Sequence, residues 1–130
     1  MTDTYVYLIR EKDWDSDRAL PESNPSPEQL GEMFGPHQAF QQAVADLGAR
    51  IVGGDALQDA SKYGGVVTPG AEGRQLQDAV YTDSPYADSS ELITGFYAVE
   101  VEDVDTARKI AALVPTGGTI EWRKVFPTMG

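Results

Sequence analysis

Residues 95–126 read GFYAVEVEDVDTARKIAALVPTGGTIEWRKVF. The hydrophobic period changes twice along them. Gly95 to Val101 is rich in aromatic and β-branched residues (Phe96, Tyr97, Val99 and Val101), which predicts a buried strand. From Asp103 the apolar residues fall at Val104, Ala107, Ile110, Ala111 and Val114, the spacing of one helical face. Asp103 suits the N-cap of that helix and Pro115 stops it. Thr119 to Phe126 then reads as a final strand, with Ile120, Trp122 and Phe126 on one side. This segment is therefore a β-α-β unit.

The same order opens the chain. Thr4 to Ile9 predicts a first strand. Ser26-Pro27-Glu28-Gln29 has the features of a helix start: a capping serine, a proline at the first helical position and a glutamine that completes a capping box. Leu30, Met33, Phe34, His37, Phe40, Val44 and Leu47 form the apolar face, and Gly48 is a left-handed stop. Pro36 lies inside this span and removes an internal hydrogen bond, so a kink or two abutting helices is expected there. Arg50 to Leu57 gives the next strand, in which Gly53-Gly54 reads as a bulge. Val66–Thr68 and Asp78–Thr82 form a hairpin around the Gly70–Gly73 turn. The polar run from Arg10 to Ser26 is long for a connection, and suits either a functional loop or a flap.

Two split β-α-β units with both helices on one face make a ferredoxin-like α+β sandwich with an inserted β-hairpin, one domain over residues 1–130. Two helices cannot cover both faces of such a sheet, yet the first, fifth and sixth strands carry large apolar residues for both. A second copy of the chain, packed sheet to sheet, supplies the missing cover, so a homodimer is expected.

The 130 residues are 41% hydrophobic and 24% charged, the balance of one globular domain. The formal net charge of -11 argues against nucleic acid and against anionic membrane surfaces. With no cysteine, disulfides, thiolate metal sites and thiol nucleophiles are excluded. No stretch approaches the roughly 20 apolar residues of a membrane span. Met1-Thr2-Asp3-Thr4 lacks the basic-then-apolar pattern of a signal peptide, and a cytoplasmic location is expected.

Residues able to carry chemistry are few. His37 is the single histidine, so any imidazole chemistry must use it. It reads either as an acid/base group or as a half-buried core residue. Asp46 follows nine positions later, about 900° along a straight helix and so on the opposite face. Asp83 and Pro85 occupy a turn between Tyr81 and Tyr86. Asp83 either shapes that turn through backbone N–H bonds or serves as a site carboxylate, with Tyr81 and Tyr86 as hydroxyl donors to a ligand. Asp13-Trp14-Asp15-Ser16-Asp17 starts like a calcium loop, but Arg18 stands where Gly is required and Asn24 where the bidentate Glu belongs. Gly64-Gly65 and Gly117-Gly118 lack phosphate-loop spacing, and Ser89-Ser90 has no base beside it. No metal site and no cofactor are expected.

Several of these stretches together resemble YCII-related proteins, in particular their DGPF branch. The branch motif T-D-G-P-F-A-E appears as Thr82-Asp83-Ser84-Pro85-Tyr86-Ala87-Asp88, with Ser84 for Gly and Tyr86 for Phe. The following G-[FY]-Y strand appears as Gly95-Phe96-Tyr97, preceded by Leu92-Ile93-Thr94 where the branch often has Q-L-G. Gly53-Gly54-Asp55-Ala56-Leu57-Gln58 and Asp103-Val104-Asp105-Thr106-Ala107 match two further stretches, so the likeness runs from Tyr5 to Val125. The resemblance implies a dimeric α+β barrel and a His–Asp pair in a dimer-lined cleft. His37 would be that histidine and Asp46 the candidate aspartate. It also implies relatives that act on chlorinated or lactone-like aromatics, and others encoded beside or fused to extracytoplasmic-function sigma factors. Two functions are thus expected in competition: a lyase, isomerase or hydrolytic enzyme with His37 as acid/base aided by Asp83 or Asp46 and Tyr81 and Tyr86 orienting the substrate, or a noncatalytic ligand-binding or accessory module tied to transcriptional regulation.

Overall fold

The structure is a computed structural model that describes residues 2–12, 20–58, 64–71, 73, 75–82 and 92–127. Among them the chain forms β1 (Asp3–Glu11), α1 (Pro27–Asp46), β2 (Arg50–Ala56), β3 (Val66–Thr68), β4 (Val80–Thr82), β5 (Leu92–Val101), α2 (Val104–Leu113) and β6 (Thr119–Lys124), with short 3-10 turns at Pro21–Ser23 and Leu76–Asp78; here α2 is the second helix of the chain. The order β2-β5-β1-β6 builds one antiparallel four-stranded sheet, and β3-β4 a separate two-stranded ribbon. This is the ferredoxin-like arrangement with the hairpin inserted between β2 and β5.

Strand alternation decides which residues meet the helices. Tyr5, Tyr7 and Ile9 of β1 are buried, and register places Val99 and Tyr97 of β5 opposite Tyr5 and Tyr7. Phe40 and Val44 of α1 and Ala107 and Ile110 of α2 close this face, with Val101 and Val114 completing the core. Tyr7 is fully buried, and its phenol donates to the Ala107 carbonyl at 2.7 Å, which ties β1 to α2. Trp122 of β6 packs on Tyr5 with ring centroids 5.8 Å apart.

Both helices are ended by their own sequence. Ser26 accepts from the Gln29 N–H at 3.1 Å while Gln29 Oε1 accepts from the Ser26 N–H at 2.8 Å, the expected reciprocal box. At the other end Gly48 takes φ 77°, the Ala49 N–H bonds Val44 O and the Gly48 N–H bonds Ala45 O. That pair of bonds is a Schellman closure. Asp103 accepts from the Thr106 N–H at 2.7 Å and so starts α2.

Three expectations need correction. α1 runs unbroken through Pro36 and is not two abutting helices; the capping box at one end and the buried Phe40 and Val44 at the other hold it across the missing N–H. Val104 sits in the first turn of α2 and is 61% exposed, so the buried stripe begins at Ala107. β6 ends at Lys124, leaving Phe126 84% exposed and outside the face that Ile120 and Trp122 share. The calcium-like stretch 13–17 and the Ser89-Ser90 pair lie outside the described residues.

The sheet face away from the helices carries Val6 and Leu8 of β1 opposite Ala98 and Phe96 of β5. All four are half-buried. Ion pairs frame them: Arg10–Glu121 at 3.0 Å, Arg123–Glu121 at 3.3 Å and Arg50–Glu100 at 3.4 Å. Among the described residues no helix covers this face, and none is long and apolar enough to cross a membrane.

Candidate functional site

The site grows from a bulge. The β2–β5 register shifts between Ile51 and Gly53, so Val52 is an extra residue and Gly54 comes to lie beside Tyr97. Gly54 has φ 154°, and a Cβ there would approach Phe96 O to 2.8 Å and Tyr97 Cδ1 to 2.9 Å. Only a glycine leaves the Tyr97 ring this room. Phe40 packs on the same ring with centroids 4.8 Å apart. Tyr97 is thereby held between β2 and α1.

There it meets His37, one turn before Phe40. His37 Nδ1 and the Tyr97 hydroxyl are 2.7 Å apart, and the two rings are tilted by 35° with centroids 5.9 Å apart. Both side chains are half-buried. Burial pushes the imidazole below its usual range, while the negative charge of Glu11, at the end of β1, pulls the other way. Burial pushes the Tyr97 phenol up. A lowered base and a raised acid are both uncharged near neutral pH. The Glu11 carboxylate is itself held by the Thr116 hydroxyl, which donates at 3.2 Å.

The other sequence candidates are placed differently. Asp46 is exposed in the last turn of α1 and accepts from Gln42 Nε2 at 3.0 Å; within one chain α1 does not carry it to His37. Tyr81 is 68% exposed in the β3–β4 ribbon, opposite Val67. Asp83 and Tyr86 lie outside the described residues. The partners that sequence reading missed are Tyr97, Gly54 and Glu11. A signal for the first two existed: a tyrosine in a core-facing strand has a hydroxyl to satisfy, and a glycine pair in the preceding strand leaves space beside it.

The model of the YCII-related domain matches residues 5–128. The chain belongs to the YCII-related family. The match spans every strand and both helices from Tyr5 on, so the His37–Tyr97 contact lies within the family's own domain and not in an appendage. No curated protein matches this YCII-related chain.

Proposed function

We propose that this YCII-related protein binds a small organic ligand beside His37 and uses the imidazole as its acid/base group. The observation that carries this reading is the 2.7 Å contact between His37 Nδ1 and the Tyr97 hydroxyl in a half-buried setting. An imidazole held by one nitrogen, uncharged near pH 7, keeps the other nitrogen for a ligand. The Thr82–Asp88 sequence motif supports placement in the DGPF branch, and its Asp83 and Tyr86, with Tyr81 just before it, are proposed ligand contacts. Asp46, exposed in the last turn of α1, could contribute only from a second copy that reaches the helix side, and it is left out of the proposed site. The proposed cytoplasmic homodimer packs on the open sheet face and supports the site from behind the sheet.

The test is a panel of small carbonyl and lactone compounds, read by thermal shift and by product formation. The wild-type chain is expected to be stabilised by some of them, since a ligand at a hundred times its Kd adds about 2.7 kcal/mol. His37→Ala is expected to keep its circular dichroism spectrum and lose that response. An unfolded variant, or one that responds like the wild type, would overturn the reading. Stabilisation without product would favour the accessory binding module over the enzyme.

A further inference from the structure

His37 reaches its ligand through Nε2, and the direction of the hydrogen bond at Nδ1 decides what Nε2 can offer. Two arrangements fit a 2.7 Å contact. The phenol can donate to an unprotonated Nδ1, which leaves the ring proton on Nε2. Alternatively Nδ1–H donates to the phenol oxygen, which leaves a free lone pair on Nε2.

The chemistry favours the first. The sp² lone pair of imidazole is a far stronger base than a phenol oxygen, whose lone pair is shared with the ring. A phenol O–H is in turn a better donor than a neutral imidazole N–H. Both groups are uncharged in this setting, so neither a phenolate nor an imidazolium reverses the preference. The geometry holds the hydroxyl in place: the Tyr97 ring is trapped between Phe40 and Gly54. Among the described residues His37 has no other hydrogen-bond partner.

We infer that Tyr97 is the positioning residue of this site, fixing His37 as the Nε2–H tautomer, so that the imidazole faces its ligand as a neutral hydrogen-bond donor to a carbonyl or enolate oxygen. This rests on the proposal that His37 faces a ligand. It narrows the acid/base role to polarising an oxygen, a role in which a neutral histidine needs no proton transfer of its own. The ligand class that follows is a small organic molecule with a carbonyl or lactone oxygen at its reacting centre. A base, where the reaction needs one, must come from another group. The charged group whose field acts on the ring is Glu11 of β1, and the neutral group in contact with it is Tyr97 of β5.

The chain's single histidine makes the test direct. Untagged protein labelled with ¹⁵N-histidine gives one pair of ring nitrogens, whose shifts and couplings report the tautomer across a pH titration. In the wild type the proton is expected on Nε2 alone. Tyr97→Phe keeps the ring against Phe40 and removes the hydroxyl. It is expected to relax His37 to a tautomer mixture and to raise its pKa, because a donor to Nδ1 stabilises the neutral ring. A proton on Nδ1 in the wild type would overturn the inference. So would a pKa that falls or stays unchanged in Tyr97→Phe, since an Nδ1–H donor would stabilise the cation instead. No ligand enters this measurement, so its failure is separate from failure of the ligand panel.

Discussion

At the scale of single residues, the buried Tyr7 phenol and the half-buried His37 imidazole respond to pH in opposite senses. Tyr7 is sealed in the core and donates to Ala107 O, and burial holds its ionisation well above the usual tyrosine range. Tyr7→Phe is expected to lower stability by about 1 kcal/mol in urea unfolding, the usual net value of a neutral hydrogen bond. The pH dependence has a definite sign. Above about pH 10 an unfolded tyrosine loses its proton while the native one keeps it, so stability falls as the pH rises further. Tyr7→Phe is expected to flatten that alkaline limb. His37 behaves in the opposite sense. Its native pKa is lowered, so the unfolded chain binds the proton first and stability is lost as the pH falls below about 6.5. His37→Gln is expected to remove that share of the acid dependence, read as the unfolding midpoint against pH. His37 was legible from the sequence because it is alone. Tyr97 was not, because a core strand hides which of its aromatics faces a helix until the register is known.

At the scale of elements, α1 and β2 carry the site, and each contains a residue its local structure disfavours. Pro36 interrupts the hydrogen bonding of α1 immediately before His37. Pro36→Ala restores an N–H in an exposed helix interior and is expected to raise stability, by up to about 3 kcal/mol. A loss of ligand response in that stabilised variant would mark the proline as part of the site's geometry. Gly54 is the counterpart in β2. Gly54→Ala drives a methyl into Phe96 O and the Tyr97 ring, and is expected to cost about 1–3 kcal/mol by calorimetry and to displace the hydroxyl from His37. The caps of both helices and the bulge were readable, because capping boxes, left-handed glycines and glycine pairs act over a few residues. The continuity of α1 was not, because it depends on Phe40 and Val44 being seated on a sheet formed elsewhere in the chain.

At the scale of the molecule, the four-stranded sheet keeps one face under the helices and one face open. The open face has an apolar centre of Val6, Leu8, Phe96 and Ala98 inside a charged frame. A second copy related by a two-fold axis would bury that centre and set the ion pairs at its rim. Leu8→Glu places a further acid opposite Glu121. It is expected to give a monomer in sedimentation equilibrium with an unchanged far-ultraviolet spectrum. A wild-type chain that is itself monomeric at micromolar concentration would remove the dimer from the proposal. The fold was legible at this scale because two strand–helix–strand units leave few topologies. For the open face, the sequence pointed only to a need for cover.

The single histidine is a half-buried group held by Tyr97 and uncharged near neutral pH, not a solvated surface imidazole. The most direct measurement is the pH titration of its side-chain resonances in the unliganded wild-type protein. The structure predicts a midpoint below the ordinary value of about 6.5. A midpoint at or above that value would contradict it, because the ring would then be either open to water or governed by Glu11.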